Sequence, residues 1–216
     1  MSTRLPLLAA TLAVAASSVV TALDLTPQPG FRLLEDMKIP VVIFEDGPRK
    51  VQWQAPAKWS LNGGGELLSL RPPDSSKMGM ELRLVPRKAA EAPDGTTARD
   101  AVQSWVQPFL PSDASKIVFQ REIPSPFMLG GRPSRELTFT YTSLLEDFTA
   151  SIALTNLDNE QSIAVIIYAR DADFASIHTE GIKSMFRWIW LSPTSPQALS
   201  GARGSGTSST DYRPQQ

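Results

Sequence analysis

His178 is the one histidine in a chain of 216 residues that has no cysteine. The lack of cysteine excludes disulfides, thiolate zinc sites, iron–sulfur clusters and cysteine nucleophiles together. A zinc site built from several histidines is out of reach within one chain. A nucleophilic serine would need His178 as its base and an acid to orient it. No G-x-S-x-G elbow presents such a serine. His178 lies at the edge of the apolar stripe formed by Phe174, Ile177, Ile182 and Met185. That position reads as a structural or surface histidine.

Acidic residues cluster at Glu45-Asp46, Glu146-Asp147, Asp158-Asn159-Glu160 and Asp171 with Asp173. A glycosidase needs two carboxylates across a cleft. Neighbours on a strand point to opposite faces, so these pairs fit that role poorly. Asp158-Asn159-Glu160 carries oxygen ligands but lacks the length and glycine of an EF-hand loop. These clusters read as turn residues. "NGGGE" (62–66) precedes a strand-like run, whereas a phosphate loop opens onto a helix N-terminus. "GGRPSR" likewise runs into the threonine-rich "ELTFTYT". It reads as a tight reversal, leaving Arg132 and Arg135 as candidates for contact with an acidic partner. Of the five tryptophans, Trp53 and Trp105 fall on apolar faces and belong to the core. Trp59, Trp188 and Trp190 stand near element ends and are candidate partner anchors, since tryptophan is enriched in binding hot spots. No residue is assigned to catalysis, to a cofactor or to a metal.

These side chains need a scaffold, and the bulk properties bound it. Hydrophobic residues make up 42% and charged residues 20%, with net charge -1. That is globular composition without the concentrated basic surface that nucleic acid requires. The first 22 residues read as a signal peptide: Arg4, an apolar run over 5–20, and small residues before a cleavage point after Ala22. Export to the periplasm or exterior is therefore expected, with no transmembrane segment in the mature chain. Residues 23–32 read as an extended lead-in and 33–191 as a single domain. Residues 192–216, rich in Ser, Gly, Pro and Thr, read as a disordered tail.

Within 33–191 the pattern predicts strands over 41–46, 51–56, 66–71 and the "MGMELRLVP" run. A helix follows, from Ala98 to Phe109, which Pro108 ends. Thr97 and Asp100 have the spacing of a capping box. Further strands are predicted over 116–123, 134–142, 147–157 and 161–170, the last nearly all apolar and so covered on both faces. A final helix carries the stripe through Phe186 and Ile189, with Asp171 or Asp173 as its cap. Gly181 lies inside that helix, which predicts a neighbour packed against its backbone. Runs of strands punctuated by helices indicate an α+β domain with an antiparallel sheet.

The order of elements resembles the Mog1/PsbP-like superfamily, including its exported bacterial members. The resemblance spans roughly 40–190. It rests on Trp53, Pro56 and Trp59 in "QWQAPAKW", on "MELRLVP", on the helix "ARDAVQSWV", on the "GGRPSRELTFTYT" hairpin strand and on the terminal "SMFRWIW". It implies an antiparallel sheet with helices on its faces, an α/β/α sandwich. It also implies a non-catalytic role in binding or assembling another protein or an envelope complex. A nuclear GTPase partner conflicts with the leader, and the lipid-anchored cysteine of many bacterial relatives is absent. Metal-binding histidines of some relatives have no counterpart in a chain with one histidine. Two other readings are a hydrolase-type enzyme using acidic residues, Tyr141 or His178 in a cleft, and a structural envelope component held by its tail.

Overall fold

A computed structural model describes residues 23–73, 75–91 and 99–192. The leader, the Ser/Gly/Pro-rich tail and the Thr97–Asp100 capping box lie outside the described residues, as far as their side chains are concerned. The elements in chain order are β1 Leu23–Leu34, β2 Met37–Asp46, β3 Arg49–Trp53, β4 Ser60–Gly64, β5 Leu67–Arg71 and β6 Gly79–Pro86. They continue with α1 Arg99–Val106, β7 Ser115–Pro124, β8 Arg135–Ser143, β9 Glu146–Asn156, β10 Gln161–Arg170, α2 Asp171–Met185 and β11 Trp188–Leu191. The chain is α+β, and every strand pairing is antiparallel.

The strands form two sheets: a large one in the order β4-β5-β6-β10-β9-β8-β7 and a small one in the order β1-β2-β3-β11. Alternation along β10 sends Ile163, Val165 and Ile167 to one face, and Ala164 and Ile166 to the other. The first face packs on Ile182 and Met185 of α2 and on Phe44, Trp53 and Trp188 of the small sheet. The second face packs on Val102 and Val106 of α1 and on Phe109. The helices therefore lie on opposite faces of the large sheet, and the small sheet shares a face with α2.

Three strands were not legible as such. Residues 23–32, expected as a lead-in, form most of β1, which pairs with β2. The Leu25 N–H also donates to Gly65 O (2.8 Å), while the Gly65 N–H donates to Asp24 Oδ1 (3.1 Å) and Thr26 Oγ1 (3.0 Å). These bonds tie the small sheet to the β4–β5 turn. The Thr26 and Gly65 hydrogen bonds hold the Asp24 carboxyl below its usual range, Thr26 contributing most. β4 is glycine-rich, and β11 is the "WIWL" that helical spacing assigned to the last helix. That helix ends at Met185, and the next residues turn back to pair with β3. α1 ends at Val106, and Pro108 sits in the 3-10 turn that follows. Neither Asp171 nor Asp173 caps α2. Both lie inside its first turn, and Asp171 accepts a hydrogen bond from Thr149 Oγ1 (2.7 Å).

The neighbour expected at Gly181 is Ile167. A Cβ built there would stand 2.7 Å from Ile167 Cδ1 and 3.2 Å from its Cγ1. The absent methyl lets α2 settle on β10. Alanine would favour the helix by about 1 kcal/mol, but overpacking a buried isoleucine costs more. Gly181→Ala should lower stability by about 1–2 kcal/mol net in urea unfolding. Ile167→Val, which removes Cδ1, should make the double variant less unstable than the two single losses added together. Strict additivity would place the effect elsewhere.

Candidate functional site

Beneath α2, His178 meets an acid. Glu136 on β8 is 1% exposed. Its Oε1 lies 2.6 Å from His178 Nε2 and accepts from Ser151 Oγ at 2.7 Å. Burial pushes the Glu136 carboxyl up, but the hydrogen bonds from His178 and Ser151 and the charges of His178 and Arg121 outweigh it. The group stays below its usual range. An ionised carboxylate only accepts, so Nε2 carries the proton that it donates. A Ser-His-acid triad puts the imidazole between serine and acid. Here the acid stands between serine and imidazole, so no imidazole meets Ser151, and at 1% exposure the serine is closed to a substrate. The trio is a polar clamp joining β8, β9 and α2.

The acidic pairs are also spoken for. Asp46 pairs with Arg49, Glu45 with Lys50 and Glu146 with Lys77. Asp158 Oδ1 accepts the N–H groups of Glu160 and Gln161 (2.7 Å each), closing its own turn. In "GGRPSR", Gly130 and Gly131 adopt φ of 61° and 77°, as a two-residue reversal demands. Trp190 packs over the first of them: a Cβ on Gly130 would lie 2.8 Å from Trp190 Nε1. Arg132 Nη1 donates to Asn156 O (3.1 Å), and Arg135 Nη1 pairs with Glu122 (3.1 Å). Trp59 and Trp188, expected near the surface, are each only 6% exposed and belong to the core under the small sheet. Trp188 stacks on Phe44 at 5.4 Å. Trp190 is half-buried and carries the Arg49 guanidinium 5.0 Å over its ring.

A concavity lies on the other face of the large sheet. It is a cleft of about 360 Å³ floored by β5, β6, β8, β9 and β10 and walled by residues 109–113. α1 is eight residues long, and among the described residues it leaves this end of the sheet uncovered. The floor carries Ile166, Tyr168, Phe148 and Tyr141; the wall carries Phe109 and Leu110. Tyr141 and Phe148 stack at 5.5 Å with planes 18° apart. Burial, with the nearby Asp113 and Glu81 charges adding to it, pushes the Tyr141 hydroxyl pKa far up, so it stays protonated. Arg83 fixes the wall by donating to Pro108 O and pairing with Glu81 (2.8 Å). Asp113 fixes it from the other side, accepting from Ser143 Oγ (2.8 Å) and the Leu144 N–H (3.0 Å). These bonds, that of Ser143 foremost, hold the Asp113 carboxyl below its usual range.

Asp113 thus ties the wall to the β8–β9 turn, where the rim is unusual. Leu144 and Leu145 have φ of 49° and 65°. They are 73% and 98% exposed. The sequence reads Glu146-Asp147 as turn residues, and the two leucines before them carry a signal of their own. The available signal was chemical: the two central positions of a two-residue hairpin favour Asn-Gly, not Leu-Leu. Arg71, Arg83 and Asp113 gave no signal, because their separation along the chain hides their convergence.

Among the described residues no helix is long and apolar enough to cross a membrane, and no group of three His, Asp or Glu side chains converges as a metal site.

Loss of the clamp should register in stability. His178→Ala leaves a buried carboxylate with one hydrogen-bond donor fewer and should cost about 2–3 kcal/mol. Because the folded pKa of Glu136 is depressed, its contribution is full above the ordinary carboxylate pKa and is lost as pH falls through the folded value. Wild-type stability should therefore decline as pH drops below about 4.5. Glu136→Gln should flatten that limb in urea titrations run at successive pH values. An unchanged acid limb would remove Glu136 from the explanation.

No family model matches this chain, and no curated protein is detectably similar to it in sequence. Similar solved structures include PA94 from Pseudomonas aeruginosa, a protein of unknown function. It is 10% identical, with a TM-score of 0.37 over 75% of this chain and 96% of that one. Another is PsbP (CyanoP) from Synechocystis sp. PCC 6803. It is 8% identical, with a TM-score of 0.38 over 82% of this chain and 98% of that one.

Proposed function

We propose that this chain is an exported, non-catalytic binding or assembly protein that engages a protein partner through the cleft-bearing face. The observation that carries the reading is the Leu144–Leu145 turn. Each leucine holds a left-handed backbone at a cost of about 1–2 kcal/mol, and both side chains stand in solvent. The hydrogen bond from the Leu144 N–H to Asp113 offsets part of that cost, but the two side chains stay exposed. A partner that buries the two side chains would offset it, at about 1.5–3 kcal/mol for each leucine fully covered. The turn is braced for such use: Asp113 holds its first half, and Glu146 is held by Lys77 across a 2.7 Å ion pair. The complementary surface is an apolar recess with basic groups near its edge, facing Glu146 and Asp147. Arg132, Arg135 and Trp190 lie elsewhere on the fold and form no part of this contact. The hydrolase reading gains no support from the Glu136–His178–Ser151 arrangement, because its serine and acid are buried and the serine does not meet the imidazole.

The test separates folding from binding. Replacing Leu144-Leu145 by Asn-Gly should raise stability by about 1–2 kcal/mol, since both residues tolerate the turn. The same change should abolish retention of the polypeptide that the wild-type chain captures from its native exported fraction. A stabilised variant that still retains that polypeptide would overturn the proposal.

A further inference from the structure

We infer that the cleft is a binding site for a small organic anion: a carboxylate carried on an aromatic or branched aliphatic body. This goes beyond the protein-binding reading and does not depend on it. Of the three cations that line the cleft, two are matched by carboxylates and Arg71 is not, while Asp113 keeps its negative charge. Arg83 is matched by Glu81, and Lys77 by Glu146. Asp113 is satisfied by Ser143 and the Leu144 N–H. Arg71 has no carboxylate partner among the described residues; its Nη1 reaches only the carbonyl oxygen of Met78, at 3.5 Å.

The guanidinium is nevertheless held in place. It lies 5.1 Å over the Tyr168 ring, and it crosses Gly79, where a Cβ would come within 3.1 Å of Nη1. A guanidinium stacked on an aromatic face keeps its edge free for in-plane donors. Most of its five N–H groups are therefore open to a planar, two-oxygen acceptor. Next to it the cleft is apolar, with Phe109, Leu110, Phe148 and Ile166 placed to cover a hydrocarbon body. A volume of about 360 Å³ suits a small organic ligand. A cationic ligand is disfavoured, because both lining carboxylates, Glu81 and Asp113, are already engaged.

The experiment follows backbone amide shifts of the 15N-labelled full chain during titration with 3-phenylpropanoate, with its amide and with acetate. Saturable shifts are expected for 3-phenylpropanoate at Arg71, at residues 81–83, 109–110 and 166–168. The amide should bind at least about tenfold more weakly, because it forfeits the charge-assisted pair. Acetate should give no saturable shifts at the same concentrations. Arg71→Gln should weaken 3-phenylpropanoate about tenfold or more, with the thermal midpoint unchanged. Arg71→Lys, which keeps the charge but not the fork, should fall between the two and serves if the glutamine variant folds poorly. Equal affinity for acid and amide would overturn the inference. So would wild-type affinity in both Arg71 variants, or no saturable shift up to about 10 mM.

Discussion

Burial of β10 on both faces is the constraint from which the rest of the architecture follows. Its ten residues send Ile163, Val165 and Ile167 to one core, and Ala164 and Ile166 to the other. A strand apolar on both faces must lie inside a sheet and be covered twice. β6 and β9 flank it, α2 and the small sheet cover one side, and α1 covers part of the other. Gly181 sets how closely α2 approaches, since it leaves room for the Ile167 side chain.

The two covers are unequal. The α2 face is sealed. Trp53 Nε1 donates to Ser184 O (3.0 Å), fastening the end of α2 to the small sheet, and the Glu136–His178–Ser151 clamp fastens its middle to β8 and β9. On the opposite face a helix of eight residues is too short to span a seven-stranded sheet. The wall at 109–113 closes part of the gap, and what remains is the cleft. On the sealed face Glu136, His178, Ser151 and Trp53 are spent on cohesion. Arg71, whose guanidinium reaches only the Met78 carbonyl among the described residues, sits on the open face.

Much of the scaffold could be read from the chain. Period-2 alternation located β2, β3, β5, β6 and β7 to β10, and helical spacing located α1 and α2, because those periods follow from backbone geometry and not from context. β1 was missed because Pro27 and Pro29 obscure a strand that is bulged between Asp24 and Gln28 and paired along one edge. β11 was missed because Ile189 continues the stripe of α2, and pairing with β3 overrides that local preference. Among candidate site residues, the sequence drew attention to two arginines. Arg132 and Arg135 stand beside a conspicuous glycine pair, yet their bonds to Asn156 and Glu122 serve the framework.

The sequence by itself determined which chemistries are closed, since no fold can supply absent cysteines or further histidines. It also determined the α+β class, because periodicity and turn residues are local properties. Only the tertiary structure decided which polar groups are spent and which are free. Packing of α2 and the 108–113 segment on the large sheet brings Glu136 to His178, Arg83 to Pro108 and Asp113 to Leu144. Strand registry leaves Arg71 over Tyr168, beside Ile166 and Phe148. Pairing is a property of distances in space, and a one-residue shift in register of their strands would turn Arg71, Arg83 or Glu136 to the other face.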